Sequence, residues 1–148
     1  YHIMQSKIAL GSGGALGKGY LDGTQSHLNF LPEMHTDFIF TMFGEEFGFL
    51  GAFLLISIYA GLIFLSIKLG LESRSDFGKY LSIGVSTVFF IYVFVNISMV
   101  TGLLPVVGVP LPLVSYGGSS MLAVMGGFGL LMNCNIHKKI ILPKGEIF

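Results

Sequence analysis

The chain has 148 residues, 53% hydrophobic and only 11% charged, with eight Lys or Arg against eight Asp or Glu. A soluble domain carries about 25% charged residues, so the composition excludes an ordinary water-soluble fold and predicts an integral membrane protein. It offers no basic patch of the kind that binds nucleic acid.

In chain order, residue 1 is Tyr rather than Met and no signal-peptide pattern follows, so the chain is expected to start inside a larger protein. Residues 1–46 are mixed and glycine-rich, and read as an extracytoplasmic loop region with short helices. Residues 11–19, GSGGALGKG, lack the Lys-Ser or Lys-Thr that ends a P-loop, and read instead as a closely packed loop in which Lys18 could contact an anionic group. In LPEMHTDFIF, residues 31–40, Pro32 breaks the chain and Thr36-Asp37 precede an apolar run. Two readings follow. Thr36 or Asp37 caps the next helix, or Asp37 is a carboxylate at the membrane surface ringed by Phe38, Ile39 and Phe40, where it suits the role of a base. His35 reads as a surface side chain, and His2, His27 and His35 show no metal-ligand spacing. An ion held jointly by Asp37 and a substrate phosphate stays open. Glu45 and Glu46 sit where a span begins, at the interface with a helix partner. They do not form a glycosidase pair with Asp37. Eight helical residues advance about 12 Å, beyond the roughly 5–9.5 Å of such pairs, and Glu46 points to the opposite face.

Residues 47–67 and 80–101 read as membrane-spanning helices, and 119–136 as a third, shorter one. Lys68, Arg74 and Lys79 mark the link 68–79 as cytoplasmic, and Lys138, Lys139 and Lys144 do the same for the tail 137–148. Residues 1–46 and the loop 102–118 then share the outer face and can meet there. Gly44, Gly48 and Ala52, and again Ser119, Ala123 and Gly127, recur every four residues, a spacing that lets helices approach closely in lipid. Three spans leave much apolar surface uncovered, so further helices are expected around them. Cys134, the single cysteine, reads as a small buried hydrophobe.

No Asp, Glu, Lys or Arg occurs between Lys79 and His137. Within that stretch Pro105, Pro110 and Pro112 forbid a continuous helix, and Gly117-Gly118 permits a turn other residues cannot make. Ser115 and Tyr116 supply hydroxyls without the cost of a buried charge. They read as parts of a cavity wall rather than as reactive groups.

Three separated blocks carry a family resemblance. Asn96, Gly102-Leu103, Pro105, Gly108-Val109 and the run from Leu113 to Ser120 form one; LPEMHTDFIF followed by GEEFG forms the second; QSKIALGSGGALGKG, Gln5 to Gly19, forms the third. Together they resemble the SEDS family of bacterial membrane proteins (the RodA/FtsW/SpoVE group). GTQSHLNFLPE and PVVGVPLPLVSYGG are more similar to its RodA branch than to FtsW. The resemblance implies an all-α polytopic fold of about ten helices in the bacterial cytoplasmic (inner) membrane. This chain would supply the last three and most of the outer loop before them. It implies a peptidoglycan glycosyltransferase that polymerises lipid II outside the membrane, for cell elongation and rod shape, with a class B penicillin-binding protein as partner. The family's essential loop aspartate corresponds to Asp37. A lipid diphosphate leaves as an anion and needs only positive charge or a metal, so one base, Asp37, suffices for transfer with inversion. Asp37 as ligand of a divalent cation, Mg or Mn, is the other form of that role. Lys7 and Lys18, the Lys or Arg side chains expected outside, become candidates for the diphosphate, and Ser115 and Tyr116 for the substrate cavity. A flippase or transporter for the lipid-linked precursor, or an inactive fragment with a structural role, are the alternatives.

Overall fold

The structure, a computed structural model, describes residues 2–19, 37–73 and 75–136. Within them the chain forms four helices and no strand: α1 (His2–Ser12), α2 (Ile39–Leu71), α3 (Asp76–Val100) and α4 (Gly118–Ile136). The last three are long and apolar enough to cross a membrane, with mean hydropathies of 2.4, 2.1 and 1.3 over their most apolar stretches. The chain is therefore an all-α, multi-pass membrane protein.

Helix α3 is the centre. It packs on α2 along one side and on α4 along the other, and Phe89 at its middle joins all three. The Phe89 ring meets Tyr59 of α2 at 5.8 Å and the edge of Phe128 of α4 at 5.1 Å. Away from this seam α2 and α4 turn large apolar side chains outward, among them Phe49, Phe53, Phe64 and Leu122. Faces of this kind suit lipid or neighbouring helices rather than water.

The sequence pattern predicted spans over 47–67, 80–101 and 119–136; the helices themselves reach further at several ends. The polar link contracts to residues 72–75, because Lys68 ends up in the last turn of α2 and Lys79 in the first turns of α3. The larger difference is α2. At 33 residues it measures about 50 Å, far more than a ~30 Å hydrocarbon core requires. It is not one rod. Gly48 has φ 65° and ψ −163°, a region that essentially only glycine occupies, and it splits α2 into a short entry piece and a long piece over residues 49–71.

A helix broken at membrane depth leaves backbone groups that lipid cannot satisfy. Here the glycine-rich segment after α1 takes them up. Lys18 N and Gly19 N donate to Glu45 O and Glu46 O (3.1 and 3.2 Å), while Phe49 N and Leu50 N donate to Gly14 O and Ala15 O (2.9 and 3.2 Å). The approach is backbone to backbone. A Cβ on Gly17 would stand 2.1 Å from Glu46 O, and one on Gly48 would stand 2.2 Å from Gly17 N. The small-residue spacing of Gly44 and Gly48 thus admits α1 and its glycine segment rather than another long helix, since a Cβ on Gly44 would meet Leu10 at 2.5 Å. Gly127 does face a long helix, with Val85 of α3 at 3.3 Å from its would-be Cβ. Cys134 is half-buried rather than fully enclosed.

Gly48→Ala is expected to destabilise the protein by about 1–3 kcal/mol from backbone strain alone, with the steric conflict added. Gly61→Ala, in open space on the same helix, should be neutral or slightly stabilising. Thermal unfolding of the two variants in detergent checks this; equal midpoints would contradict the break as described.

Candidate active site

Helix α1, the start of α2, the end of α3 and the loop before α4 gather at one end of the bundle. Fully buried hydroxyls tie the helices together there. Ser6 Oγ donates to Val100 O at 2.8 Å and lies 2.7 Å from Thr41 Oγ1. Ser6 has a single hydroxyl proton, so Thr41 is the donor of the second bond. A serine on α1 is thereby fixed to α2 and α3 at once.

Asp37 stands at this end, 7% exposed, two residues before α2 begins. The helix-capping role that the sequence allowed it is not what the structure shows. The N-cap residue is Phe38, and no side-chain hydrogen bond caps the helix. Thr36 and the side chains of His2, His27 and His35 lie outside the described residues. What Asp37 faces is the Pro/Gly loop: a Cβ on Gly108 would come 3.3 Å from Asp37 Oδ2. Gly108 adopts φ 72°, so the loop bends at the point where it passes the carboxylate.

The loop is held from several sides. Asn96 Nδ2, on the last turns of α3, donates to Asp37 O at 3.0 Å and to Val109 O at 2.6 Å. Tyr59 Oη of α2 donates to Pro112 O at 2.5 Å. Ser115 Oγ accepts from Leu111 N at 2.7 Å, and Ser115 N returns a bond to Leu111 O at 2.9 Å. These anchors bracket Leu113, a non-glycine residue at φ 67°, a conformation that persists only where its surroundings enforce it. Ser115 is thus a buried brace of the loop, while Tyr116 beside it is 82% exposed.

The cations expected outside separate into two kinds. Lys7 is exposed on α1. Lys18 Nζ lies 2.8 Å from Glu45 Oε1, and Glu45 is 1% exposed. The anionic group that the Gly-rich segment presents Lys18 to is therefore a carboxylate of this chain, next to the break in α2. The helix partner expected for Glu45 is a lysine from that segment rather than from another helix. Among the described residues no cluster of three or more His, Cys, Asp or Glu could hold a metal ion. Asp37 could supply one ligand to a Mg or Mn ion whose other ligands were substrate phosphates and water.

Sequence reasoning placed Asn96 in a family signature without giving it a task, and it missed the Lys18–Glu45 pair. A lone Asn in an uncharged apolar span was the available signal for the first. For the second no signal existed, because the two residues are 27 positions apart and meet only where a helix breaks.

Fold and site together define a polytopic helical membrane protein with a largely buried carboxylate, Asp37, at one end of the bundle, set against an uncharged loop. A family model described as cell cycle protein, FtsW/RodA/SpoVE, matches residues 1–140. The chain belongs to the FtsW/RodA/SpoVE family. It is 53% identical over 141 residues to peptidoglycan glycosyltransferase MrdB of Escherichia coli (strain K12), covering 95% of this chain and 38% of that protein. It is 47% identical over 140 residues to peptidoglycan glycosyltransferase RodA of Treponema pallidum (strain Nichols), covering 93% and 32%. The crystal structure of Thermus thermophilus rod shape determining protein RodA aligns with a TM-score of 0.70 at 32% identity, over 85% of this chain and 39% of that one. A peptidoglycan synthase complex described as coordinating polymerization and crosslinking aligns with a TM-score of 0.70 at 28% identity, over 91% and 37%. The chain thus spans about a third of the length of the curated relatives it matches.

Lys18→Met leaves Glu45 buried without its cation and is expected to cost roughly 3 kcal/mol, the low end for a broken buried pair because Lys18 keeps 29% exposure. The double variant Lys18→Met, Glu45→Gln should recover part of that loss. Thermal unfolding in detergent reads both, and a double variant less stable than Lys18→Met alone would contradict the pairing.

Proposed function

We propose that the protein is a peptidoglycan glycosyltransferase of the RodA type. It polymerises lipid II at the outer face of the bacterial cytoplasmic membrane, with Asp37 as the base that activates the acceptor hydroxyl. The observation that carries this is the placement of Asp37, 7% exposed at the membrane-helix entrance and directed at Gly108 of the uncharged loop. The names of the relatives, peptidoglycan glycosyltransferases in E. coli and T. pallidum, support the activity.

The chemistry fits one carboxylate. A glycosidase needs an acid to protonate its leaving group and a second carboxylate opposite. A polyprenyl diphosphate departs as a stable anion, so the acceptor hydroxyl is the only group that must lose a proton. Asp37 takes that proton as the C–O bond to the donor sugar forms and the bond to diphosphate breaks, with inversion. Positive charge beside the departing diphosphate stabilises it. Lys7 presents an exposed ammonium for that purpose, whereas Lys18 is shared with Glu45. Tyr116, exposed beside buried Ser115, borders the cavity in which the saccharide chain lies. A divalent cation bound through Asp37 would neutralise diphosphate charge.

In this topology the link 72–75 is cytoplasmic and the end carrying Asp37 and the Pro/Gly loop is outside, as the Lys and Arg distribution requires. A class B penicillin-binding protein is the proposed partner, crosslinking the strands made here. The structural likeness to a synthase complex that couples polymerization to crosslinking supports this.

The test uses the protein expressed from its complete reading frame, in nanodiscs, with lipid II. Asp37→Ala and Asp37→Asn should each lower polymerisation by about 10²–10⁴, the usual contribution of a general base, without lowering the unfolding temperature. Polymerisation that survives Asp37→Ala would sink the catalytic assignment. Lipid translocation lost while polymerisation stays intact would identify a carrier for the precursor instead.

A further inference from the structure

We propose that Asn96 is the positioning residue of this site: its side-chain amide sets where Asp37 stands relative to the loop that faces it. The inference rests on the reading of Asp37 as the base.

Asn96 is fully buried. Both hydrogens of its amide are used, one on Asp37 O at 3.0 Å and one on Val109 O at 2.6 Å. These acceptors lie 59 and 13 positions away in sequence, so a single planar group ties the residue before α2 directly to the loop before α4. Its orientation is determined by chemistry. Turned over, the amide would aim its oxygen at two carbonyl oxygens.

The opposite side of the same amide shows what the residue is for. Asn96 Oδ1 is buried and accepts no hydrogen bond from the described residues. An unsatisfied buried acceptor is unfavourable, and a leucine of similar size would not have one. Packing therefore does not account for an amide here. The two donated bonds do. One fixes the backbone of the residue that bears the carboxylate. The other fixes Val109, whose neighbour Gly108 would bring a Cβ to 3.3 Å of Asp37 Oδ2. The distance between the carboxylate and its wall is thus spanned by one side chain that touches neither the reacting hydroxyl nor the leaving group.

A base displaced by about 1 Å loses about 10²-fold in rate, while substrate affinity, set elsewhere, need not change. Asn96→Leu and Asn96→Ala, made in the protein expressed from its complete reading frame, should lower kcat for lipid II polymerisation by about 100-fold. KM should stay at its wild-type value and both variants should remain folded, with an unfolding temperature lowered because Asp37 O and Val109 O lose their shared donor. Gly108→Ala perturbs the same separation from the loop side, so its combination with Asn96→Leu should cost less than the two separate losses multiplied. Wild-type kcat in Asn96→Leu overturns the proposal, as does strictly multiplicative loss in the double variant. Unfolding of both Asn96 variants overturns it too, since Asn96 would then be a determinant of folding. Asp37→Ala, run alongside, separates the two levels of the argument. If Asp37→Ala is inactive and Asn96→Leu fully active, only the positioning role fails; if Asp37→Ala polymerises normally, the reading beneath it fails as well.

Discussion

A chain that breaks a helix inside a membrane must find new partners for every backbone group it releases, and α2 meets that demand at Gly48. In an unbroken helix Phe49 N would bond Glu45 O, and Leu50 N would bond Glu46 O. The glycine segment separates these pairs and answers each of the four groups with one of its own, from Gly14, Ala15, Lys18 and Gly19. No segment with side chains at Gly17 or Gly48 could come that close. The break therefore requires the segment, and the segment requires its glycines. The Lys18–Glu45 pair follows from the same crossing. It sits where the carbonyls of the entry piece end, so the positive charge also opposes the negative end of that short helix.

The site inherits its rigidity from this arrangement. The segment fixes the top of α2 from one side, and Ser6 fixes it again through Thr41 and Val100. The loop of residues 102–117 is then fitted against a frame tied by buried hydrogen bonds. Its proline content limits its own freedom, and Tyr59, Ser115 and Asn96 hold it at Pro112, Leu111 and Val109. For the base proposed above, the loop of residues 102–117 offers a wall that carries no charge in its sequence and, through its prolines, little freedom to relax when charge moves.

The number of membrane helices and the position of the Pro/Gly loop were legible because both are properties of composition over long windows. Charge density and hydropathy report them directly. The boundaries were less so. Ile39 to Phe47 continues α2 backward through two acids, Glu45 and Glu46, that look like the edge of a span. Glu45 is tolerated there because a lysine from outside the helix neutralises it. Gly48 looked like one member of a small-residue stripe, and nothing local distinguishes a glycine that lets a helix approach from a glycine at which the helix stops. Asp37 was legible as a candidate through its setting before an apolar run, though a capping role fitted the same spacing. In the structure the N-cap position falls to Phe38, which removes the capping reading and leaves the role of a base as a proposal. Asn96 carried no visible assignment, since its partners are backbone carbonyls, which every residue has.

The two lysines named from the sequence illustrate how burial reassigns charge. Either could in principle meet a diphosphate. Glu45, however, is 1% exposed and so has almost no access to water. If Lys18 turned away to an anionic substrate, buried Glu45 would lose this ion pair, a change that costs about 3–5 kcal/mol where such a pair is broken. A substrate anion in a wetter position can recruit counterions from solvent, so it competes poorly for the same ammonium. Lys18 stays with Glu45 and maintains the break. Lys7 is exposed on the helix that Ser6 fastens to α2 and α3, which is why the diphosphate is proposed for it rather than for Lys18. Of the two lysines, the one paired with Glu45 belongs to the scaffold.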